Sequence, residues 1–367
     1  MKAKGYDADF AERCFRQIEG FGEYGFPESH AASFALLVYV SCWLKHYFPD
    51  VFACALLNSQ PMGFYAPAQI VRCFRDHGGE ARPVDINHSD WDCRLEPRNP
   101  VEGEPGRALR LGFRLVKGLA QKDVEAIVKL RKSAFVSLED FARTGLGVPV
   151  LKVLAEADAF RSIGLDRRQA LWAVARYHET GTPAAASSDL PLFAEAAAIP
   201  HEPVVALPSM PLGEHVLTDY ASLRLSLKAH PMALLRSTFD ALGYVKSEAL
   251  ATLSLARPVK AAGIVLIRQR PGSASGVIFS TIEDETGIAN LIIWPKVFER
   301  YRRIVLSARL LGVRGKLQRE QGVIHLVARE LFDMSSLLTG LSEKHGSGLA
   351  RNQDPPAQVL PKGRNFH

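Results

Sequence analysis

The alternation of apolar and polar residues between positions 257 and 332 restricts the fold of this chain more than any other feature. It predicts five short strands, at residues 261–268, 276–283, 287–294, 310–316 and 322–331. Residues 295–307 instead carry Val297, Tyr301 and Ile304 at helical spacing. Five strands with one helix after the third is the element order of an OB-fold β-barrel. We therefore expect an OB-fold domain at residues 257–335.

The rest of the chain has mainly helical patterns, so the predicted fold class is multidomain α + β. The length of 367 residues suggests two or three domains, because one core stops growing at about 250–300 residues. Residues 1–107 are predicted to be helical up to a loop at 81–107, and short helices continue over 108–179. Residues 180–256 read as a Pro- and Ala-rich linker with a helical segment. Residues 336–367 are polar and predict a mobile tail.

Several protein classes are excluded by composition and spacing. The longest apolar stretch, residues 31–44, is shorter than the roughly 20 residues of a membrane span, so we expect no membrane partner. The first residues lack the apolar stretch of a secretory signal. The five cysteines are widely spaced, which favours reduced thiols and a cytoplasmic protein. No motif of a hydrolase, nucleotide-binding loop or metal site appears, so we assign no catalytic or metal-binding residue.

Basic charge is concentrated in the predicted barrel. Residues 257–330 contain 13 basic and 6 acidic residues, whereas the whole chain has a net charge of +6. Such an excess is typical of a nucleic-acid-binding surface, but charge alone does not distinguish it from a solvated basic face.

Aromatic and basic residues of the predicted barrel match the chemistry of single-strand binding. OB-folds stack bases on aromatic side chains inside a basic groove. The inventory comprises Phe279, Phe298 and Arg319 together with our binding candidates Arg268, Arg270, Trp294 and Arg314. Arg268 and Arg270 are two apart on one strand and should point the same way. The alternative places Phe279 and Trp294 in the core, and for Phe279 we favour the core.

A second candidate site is the turn Lys117-Gly118-Leu119, which precedes an amphipathic helix predicted at 121–131. In a helix-hairpin-helix, such a glycine lets backbone N–H groups approach a phosphate at a helix N-terminus. Lys117, Lys122 and Lys129 would add positive charge. The alternative is an ordinary turn between two elements, and these residues alone favour it.

Several longer segments make the chain recognisable. They are residues 19–35 (EGFGEYGFPESHAASFA), 56–65 (LLNSQPMGFY), 83–87 (PVDIN), 89–91 (SDW), 283–287 (EDETG), 293–298 (IWPKVF) and 361–367 (PKGRNFH). Together they resemble the error-prone branch of the bacterial C-family DNA polymerases. The resemblance runs from end to end and covers about the last third of such a polymerase.

The resemblance implies the end of the polymerase fingers, a helix-hairpin-helix module and an OB barrel. It implies a DNA polymerase of damage-induced translesion synthesis, repair and the SOS response. The palm, whose carboxylates hold Mg²⁺, would lie outside this chain, so Mg²⁺ is expected only in the intact polymerase. Tyr24, Ser29 and His30 would face the nascent pair and the incoming nucleotide. Lys117 and Gly118 would grip duplex DNA, and the barrel would meet single-stranded template.

The Pro-rich linker holds one further candidate, Leu190, Leu192 and Phe193. With Asp189 and Pro191 they resemble the short motif that docks bacterial polymerases onto the sliding clamp. Asp189 stands where that motif usually has Gln. The alternative is a few apolar residues in a linker, and we weigh the two evenly.

Two functions compete. The first is the DNA-binding C-terminal portion of an error-prone polymerase, whose partners are primer-template DNA, the clamp and other translesion proteins. The second is a stand-alone accessory module that guides another polymerase or a repair protein. The retained fingers segment, residues 24–33, argues against the second.

Overall fold

The computed structural model describes residues 28–63, 65–98, 107–175, 177, 207–255, 257–320, 322–343 and 364–366, with positions 5, 7, 9, 10, 12–16 and 18. The chain divides into two compact units, residues 1–52 and 53–367. In these ranges no helix is long and apolar enough to cross a membrane.

The main element of the first unit is helix α1, Glu28–Tyr47. Residues 36–40 are consecutive, apolar and exposed, and at 100° per residue they cover all sides of the helix. A helix that is apolar all round is normally buried, so α1 presents a surface suited to contact with other polypeptide.

The second unit begins with a helical module whose helices lie in the two regions predicted to be helical, residues 1–80 and 108–179. They are α2 (Pro49–Asn58), α3 (Pro67–Asp76), α4 (Gln121–Leu130), α5 (Leu138–Ala142), α6 (Val148–Glu156) and α7 (Arg167–Val174). Side-chain capping fixes the N-termini of two of these helices. Ser137 Oγ accepts a hydrogen bond from Asp140 N, and Asp166 and Gln169 form a capping box.

A small sheet lies where a loop was predicted. Its strands β1 (Ala81–Arg82), β2 (Arg94–Pro97) and β3 (Arg107–Arg110) lie in the order β1-β3-β2. Burial alone would raise the pKa of Glu96, but hydrogen bonds from Arg110 and Arg82 outweigh it and lower that pKa to about 2. The prediction missed β1 and β2 because two to four residues are too few to show alternation, whereas β3 overlaps a short strand predicted at residues 109–115.

Residues 212–251, which we call the bracket, are packed rather than a linker. The bracket contains α8 (Leu212–Leu223) and α9 (Pro231–Ala241), where the sequence predicted one helical segment. It shares an apolar core with the barrel, formed by bracket residues Val216, Tyr220, Met232, Leu235, Phe239 and Tyr244 and by Ala262, Ile264, Leu310 and Leu338.

Buried charges join the bracket to the helical module. Arg167 is fully buried, and its guanidinium donates to the carboxylate of Asp219, which is 2% exposed. Lys228 Nζ lies 3.0 Å from the same carboxylate. Arg167 also donates to the His215 carbonyl at 2.9 Å. Burial and the neighbouring Arg167 lower the pKa of His215 to about 4, so His215 is neutral at neutral pH.

A second set of ion pairs ties the barrel to the bracket and to α3. Arg236 of α9 pairs with Glu285 at 2.5 Å, and Arg72 of α3 pairs with Glu283 at 2.8 Å. The Asp284 carboxylate accepts a hydrogen bond from Thr286 N at 2.8 Å, which stabilises a tight turn at residues 284–287. Asp284 also accepts from Ser247 N at 2.7 Å, so this turn is an anchoring point for the bracket.

The barrel confirms the predicted five strands and the intervening helix. Its strands β4 (Pro258–Gln269), β5 (Ile278–Glu283), β6 (Ile288–Ile293), β7 (Leu310–Glu320) and β8 (Val323–Asp333) pair in the order β5-β6-β8-β7-β4, and β4 closes onto β5. Helix α10, Pro295–Ser307, follows β6 as expected. A Cβ at Gly263 would lie 2.6 Å from the Glu283 carbonyl oxygen, so this close approach of β4 and β5 requires glycine.

The C-terminal region is not wholly the predicted mobile tail. Residues Ser336–Glu343 form helix α11, which packs Leu338 into the core shared with the bracket. Residues Arg364–Phe366 form strand β9, which pairs in parallel with Ile267–Gln269 of β4. Polar composition concealed both elements.

We expect Asp219→Ala to lower the free energy of unfolding by about 3–5 kcal/mol, because it leaves a buried guanidinium without its carboxylate. Urea unfolding measures the change. The control is Asp240→Ala, which removes an exposed carboxylate 3.7 Å from Arg236 and should cost about 1 kcal/mol or less. Equal losses in the two variants would contradict a structural role for the buried pair.

Candidate nucleic-acid interface

The predicted hairpin is a sharp turn that leads directly into α4. Gly118 has a φ of +86°, a conformation that side chains disfavour, and the adjacent Leu119 is 8% exposed and anchors the turn in the core. Helix α4 has no side-chain cap at its N-terminus. Within the described part of the chain, the amide nitrogens of Gly118, Ala120, Gln121 and Lys122 have no hydrogen-bond acceptor. The turn therefore presents several donors at the positive end of a helix.

Two lysines flank these donors. Lys117 and Lys122 are exposed, and no carboxylate of the described residues lies within salt-bridge distance of either. The Lys117 amide donates to the Ser222 carbonyl of the bracket at 2.8 Å, which fixes the turn from the other side. The resulting group of amides and ammonium ions is suited to a phosphate and carries no base readout.

On the barrel, paired residues form a mixed apolar and basic row across five strands. By register Gln269, Phe279, Ile292, Val327 and Lys316 are successive neighbours on β4, β5, β6, β8 and β7. Phe279 is 36% exposed, so the prediction that it lies in the core is wrong. The inward positions of β5 belong to Ile278, Ser280 and Ile282, which leaves Phe279 on the outer face.

A polar row runs beside the first. It contains Thr281, Asn290 and His325, which are register neighbours on β5, β6 and β8. Thr281 Oγ1 donates to Asn290 Oδ1 at 3.2 Å. His325 Nδ1 is buried and has no hydrogen-bond partner among the described residues. The outer face of β5, β6 and β8 thus offers a flat apolar strip with adjacent hydrogen-bonding groups.

The structure brings two predicted binding residues, Arg270 and Trp294, to one end of the barrel. Trp294 is 53% exposed at the N-terminus of α10, so the core alternative is wrong for it. Arg270 is exposed, and its Cζ lies 5.6 Å from the ring centroid of Phe298 in α10. A Cβ on Gly276 would lie 3.5 Å from Arg270 Nη2 and 3.6 Å from Pro295 Cγ, so the β4–β5 loop folds against the start of α10.

The other two predicted arginines lie elsewhere. Arg268 is 7% exposed and donates to the Ala308 carbonyl, and burial lowers its pKa. It does not share an outward direction with Arg270, because β4 ends at Gln269 and Arg270 lies in the loop. Arg314 on β7 is exposed and pairs with Glu330 at 3.3 Å, on strands that do not include Phe279 or Trp294.

The structure describes only some of the remaining predicted residues. Tyr24 and the clamp candidates Leu190, Leu192 and Phe193 lie outside the described residues. Ser29 and His30 are in the first turn of α1, and the His30 ring lies 4.4 Å from that of Phe34. Across the described ranges, no group of three or more His, Cys, Asp or Glu residues could hold a metal ion.

Sequence reasoning missed Ile292, Val327, Lys316 and His325. Their signal was present, because in β8 the buried Leu326 and Ala328 alternate with His325 and Val327. Applying the period of two to each predicted strand would have identified the outward face.

Two families match this chain. The helix-hairpin-helix motif family matches residues 78–170, and the OB-fold nucleic acid binding domain family matches residues 259–334. The solved structure of asparaginyl-tRNA synthetase from Pyrococcus horikoshii is similar over 21% of this chain and 20% of its own, with 24% identity and a TM-score of 0.19, too low to support an argument.

Curated relatives match over the whole chain. Error-prone DNA polymerase 1 of Rhizobium meliloti (strain 1021) is 50% identical over 100% of this chain and 37% of its own length. The error-prone DNA polymerase of Sinorhizobium medicae (strain WSM419) is 52% identical over 99% of this chain and 34% of its own. The error-prone DNA polymerase of Mesorhizobium japonicum is 49% identical over 100% of this chain and 37% of its own length. The chain spans about a third of the length of these relatives. This chain combines a helix-hairpin-helix module with an OB-fold and is about 50% identical to these proteins. It is therefore homologous to the C-terminal part of the error-prone DNA polymerases.

Proposed function

We propose that this chain is the DNA-binding part of an error-prone DNA polymerase that acts in damage-induced translesion synthesis and DNA repair. The observation that supports the proposal is that one compact unit contains both a glycine turn, whose backbone amides are free among the described residues and lie beside two lysines, and a barrel face with exposed aromatic residues. The relatives support the polymerase context, because they match this chain from end to end.

The hairpin is suited to duplex DNA. Backbone amides at the start of α4 donate to phosphate oxygens, and Lys117 and Lys122 neutralise neighbouring phosphates. These contacts are independent of base sequence, as a polymerase requires when it follows a moving primer-template.

The barrel is suited to single-stranded template. Phe279 and Trp294 provide exposed aromatic surface for base stacking, Ile292 and Val327 extend the apolar strip, and Arg270 and Lys316 supply charge near the backbone of the strand. Arg314 contributes only if DNA displaces Glu330 from it, and the buried Arg268 supports the barrel instead.

Nucleotidyl transfer would use groups outside this chain. The resemblance assigns the Mg²⁺-binding carboxylates to a palm, and the described residues contain no cluster suited to a metal ion. In the intact polymerase, Tyr24, Ser29 and His30 would face the incoming nucleotide. We further propose a cytoplasmic location, regulation by the SOS response, and clamp docking through Leu190, Leu192 and Phe193.

A stand-alone accessory module is the second candidate. The packed bracket and closed barrel favour it, because the unit of residues 53–367 has its own cores. The exposed apolar surface of α1 disfavours it, since a module that acts alone has no use for such a helix.

The proposal predicts salt-sensitive DNA binding by the intact chain. Fluorescence anisotropy with labelled single-stranded DNA and with duplex should give log–log salt slopes of about −0.7 and −0.9 per phosphate contact. The same preparation should not extend a primer with Mg²⁺ and nucleotides. No binding at low salt would refute the DNA-binding function, and Mg²⁺-dependent extension would refute the assignment of catalysis to a palm outside the chain.

Trp294→Ala should weaken single-strand binding by about 1–3 kcal/mol, because one stacked base loses its partner. The matched control is Trp172→Ala on α7, a tryptophan that is 51% exposed and distant in sequence from the barrel. Duplex affinity should be unchanged in both variants. Equal single-strand affinities for the two variants would rule out stacking on Trp294.

A further inference from the structure

Helix α10 carries an exposed basic side that the strand face of the barrel does not explain. Lys296, Arg300, Arg302 and Arg303 are all exposed, and Glu299 is the one acidic residue of the helix. Within the described part of the chain, no carboxylate lies within 4.0 Å of any of these four cations. We call this set the α10 basic side.

Several other arginines of the same unit have carboxylate partners among the described residues. Arg72, Arg110, Arg131, Arg167 and Arg236 each lie within 3.0 Å of one. The α10 cations differ because they also repel one another. Lys296 and Arg300 are four residues apart, a spacing at which like charges destabilise a helix. The backbone leaves helical geometry at Tyr301, so Arg303 lies beyond a kink. The arrangement does not serve the stability of α10, which points to a role in binding an anion.

Two of the arginines lie near the same aromatic ring of the barrel core. The Cζ atoms of Arg270 and Arg302 lie 5.6 and 5.7 Å from the ring centroid of Phe298. Phe298 is 4% exposed, so this ring is a fixed support for both guanidinium groups. Guanidinium groups bind phosphate oxygens through two parallel N–H donors.

The basic side continues from the strand face. Trp294 stands at the N-terminus of α10, and Lys296, Arg300 and Arg303 follow over roughly 10 Å of helix. A strand whose bases stack on Phe279 and Trp294 would therefore meet the first of these cations as it leaves the barrel. An extended row of cations matches a chain of phosphates better than it matches a single small anion.

We propose that the α10 basic side, with Arg270, binds the phosphate backbone of a single DNA strand that leaves the strand face past Trp294. This inference rests on the proposed function and adds a second binding surface to the barrel. Its ligand is a nucleic-acid phosphodiester chain, contacted by charge and without base readout.

The test compares the intact chain with Arg300→Ala/Arg303→Ala and with Arg302→Ala. The probe is labelled single-stranded DNA, measured by anisotropy across a salt series. The double variant should weaken binding several-fold and make the log–log slope shallower by about 1.4, two contacts at about 0.7 each. Arg302→Ala should give about half that change in slope. The double variant should not lower the unfolding temperature, because both side chains are exposed and their removal relieves repulsion between like charges.

The control for net charge is Arg13→Ala/Arg16→Ala, which removes two exposed arginines that already face Asp9 and Glu12. It should leave the slope unchanged. If the wild-type chain binds and all variants bind alike, the α10 inference is wrong while the proposed function stands. If the wild-type chain does not bind at all, the proposed function fails first.

Discussion

The buried pair of Arg167 and Asp219 is the interaction on which the arrangement of the larger unit depends. A fully buried guanidinium is costly unless its charge is matched and its N–H groups are bonded. Asp219 and the His215 carbonyl meet most of that demand across α7 and α8. Removing either member would leave the other charged and buried. The pair therefore holds α7 and α8 in a fixed relative position, and the bracket does not move as a flexible linker would.

The fixed bracket has a consequence for DNA binding. The Ser222 carbonyl of the bracket accepts a hydrogen bond from the Lys117 amide of the hairpin. The bracket also shares an apolar core with the barrel, and its Arg236 pairs with Glu285 of the barrel. The turn at Gly118 and the outer face of the barrel are therefore joined by packed protein. Two weak sites held at a set spacing bind one ligand more tightly than either alone, provided that the ligand reaches both.

Long periodic segments were predictable from sequence, and contacts distant in sequence were not. The barrel strands, α10 and the hairpin glycine were all predicted because period and turn chemistry are local. The bracket was misread because proline and alanine before residue 212 suggested a linker, and nothing local shows that Asp219 meets Arg167, 52 residues away. The site was predicted by residue type alone. Composition found Arg270 and Trp294, but it could not tell that Arg268 faces inward or that Phe279 faces outward.

The central claim is that the hairpin and the barrel act on one DNA molecule at a fixed spacing. The most direct measurement is the affinity of the intact chain for primer-templates whose single-stranded overhang is lengthened stepwise from none. The account predicts duplex-like affinity for short overhangs, a steep gain once the overhang reaches the barrel, and a plateau when its site of about 4–16 nucleotides is filled. An affinity that does not change with overhang length would show that the two surfaces do not share a ligand, and would contradict the account.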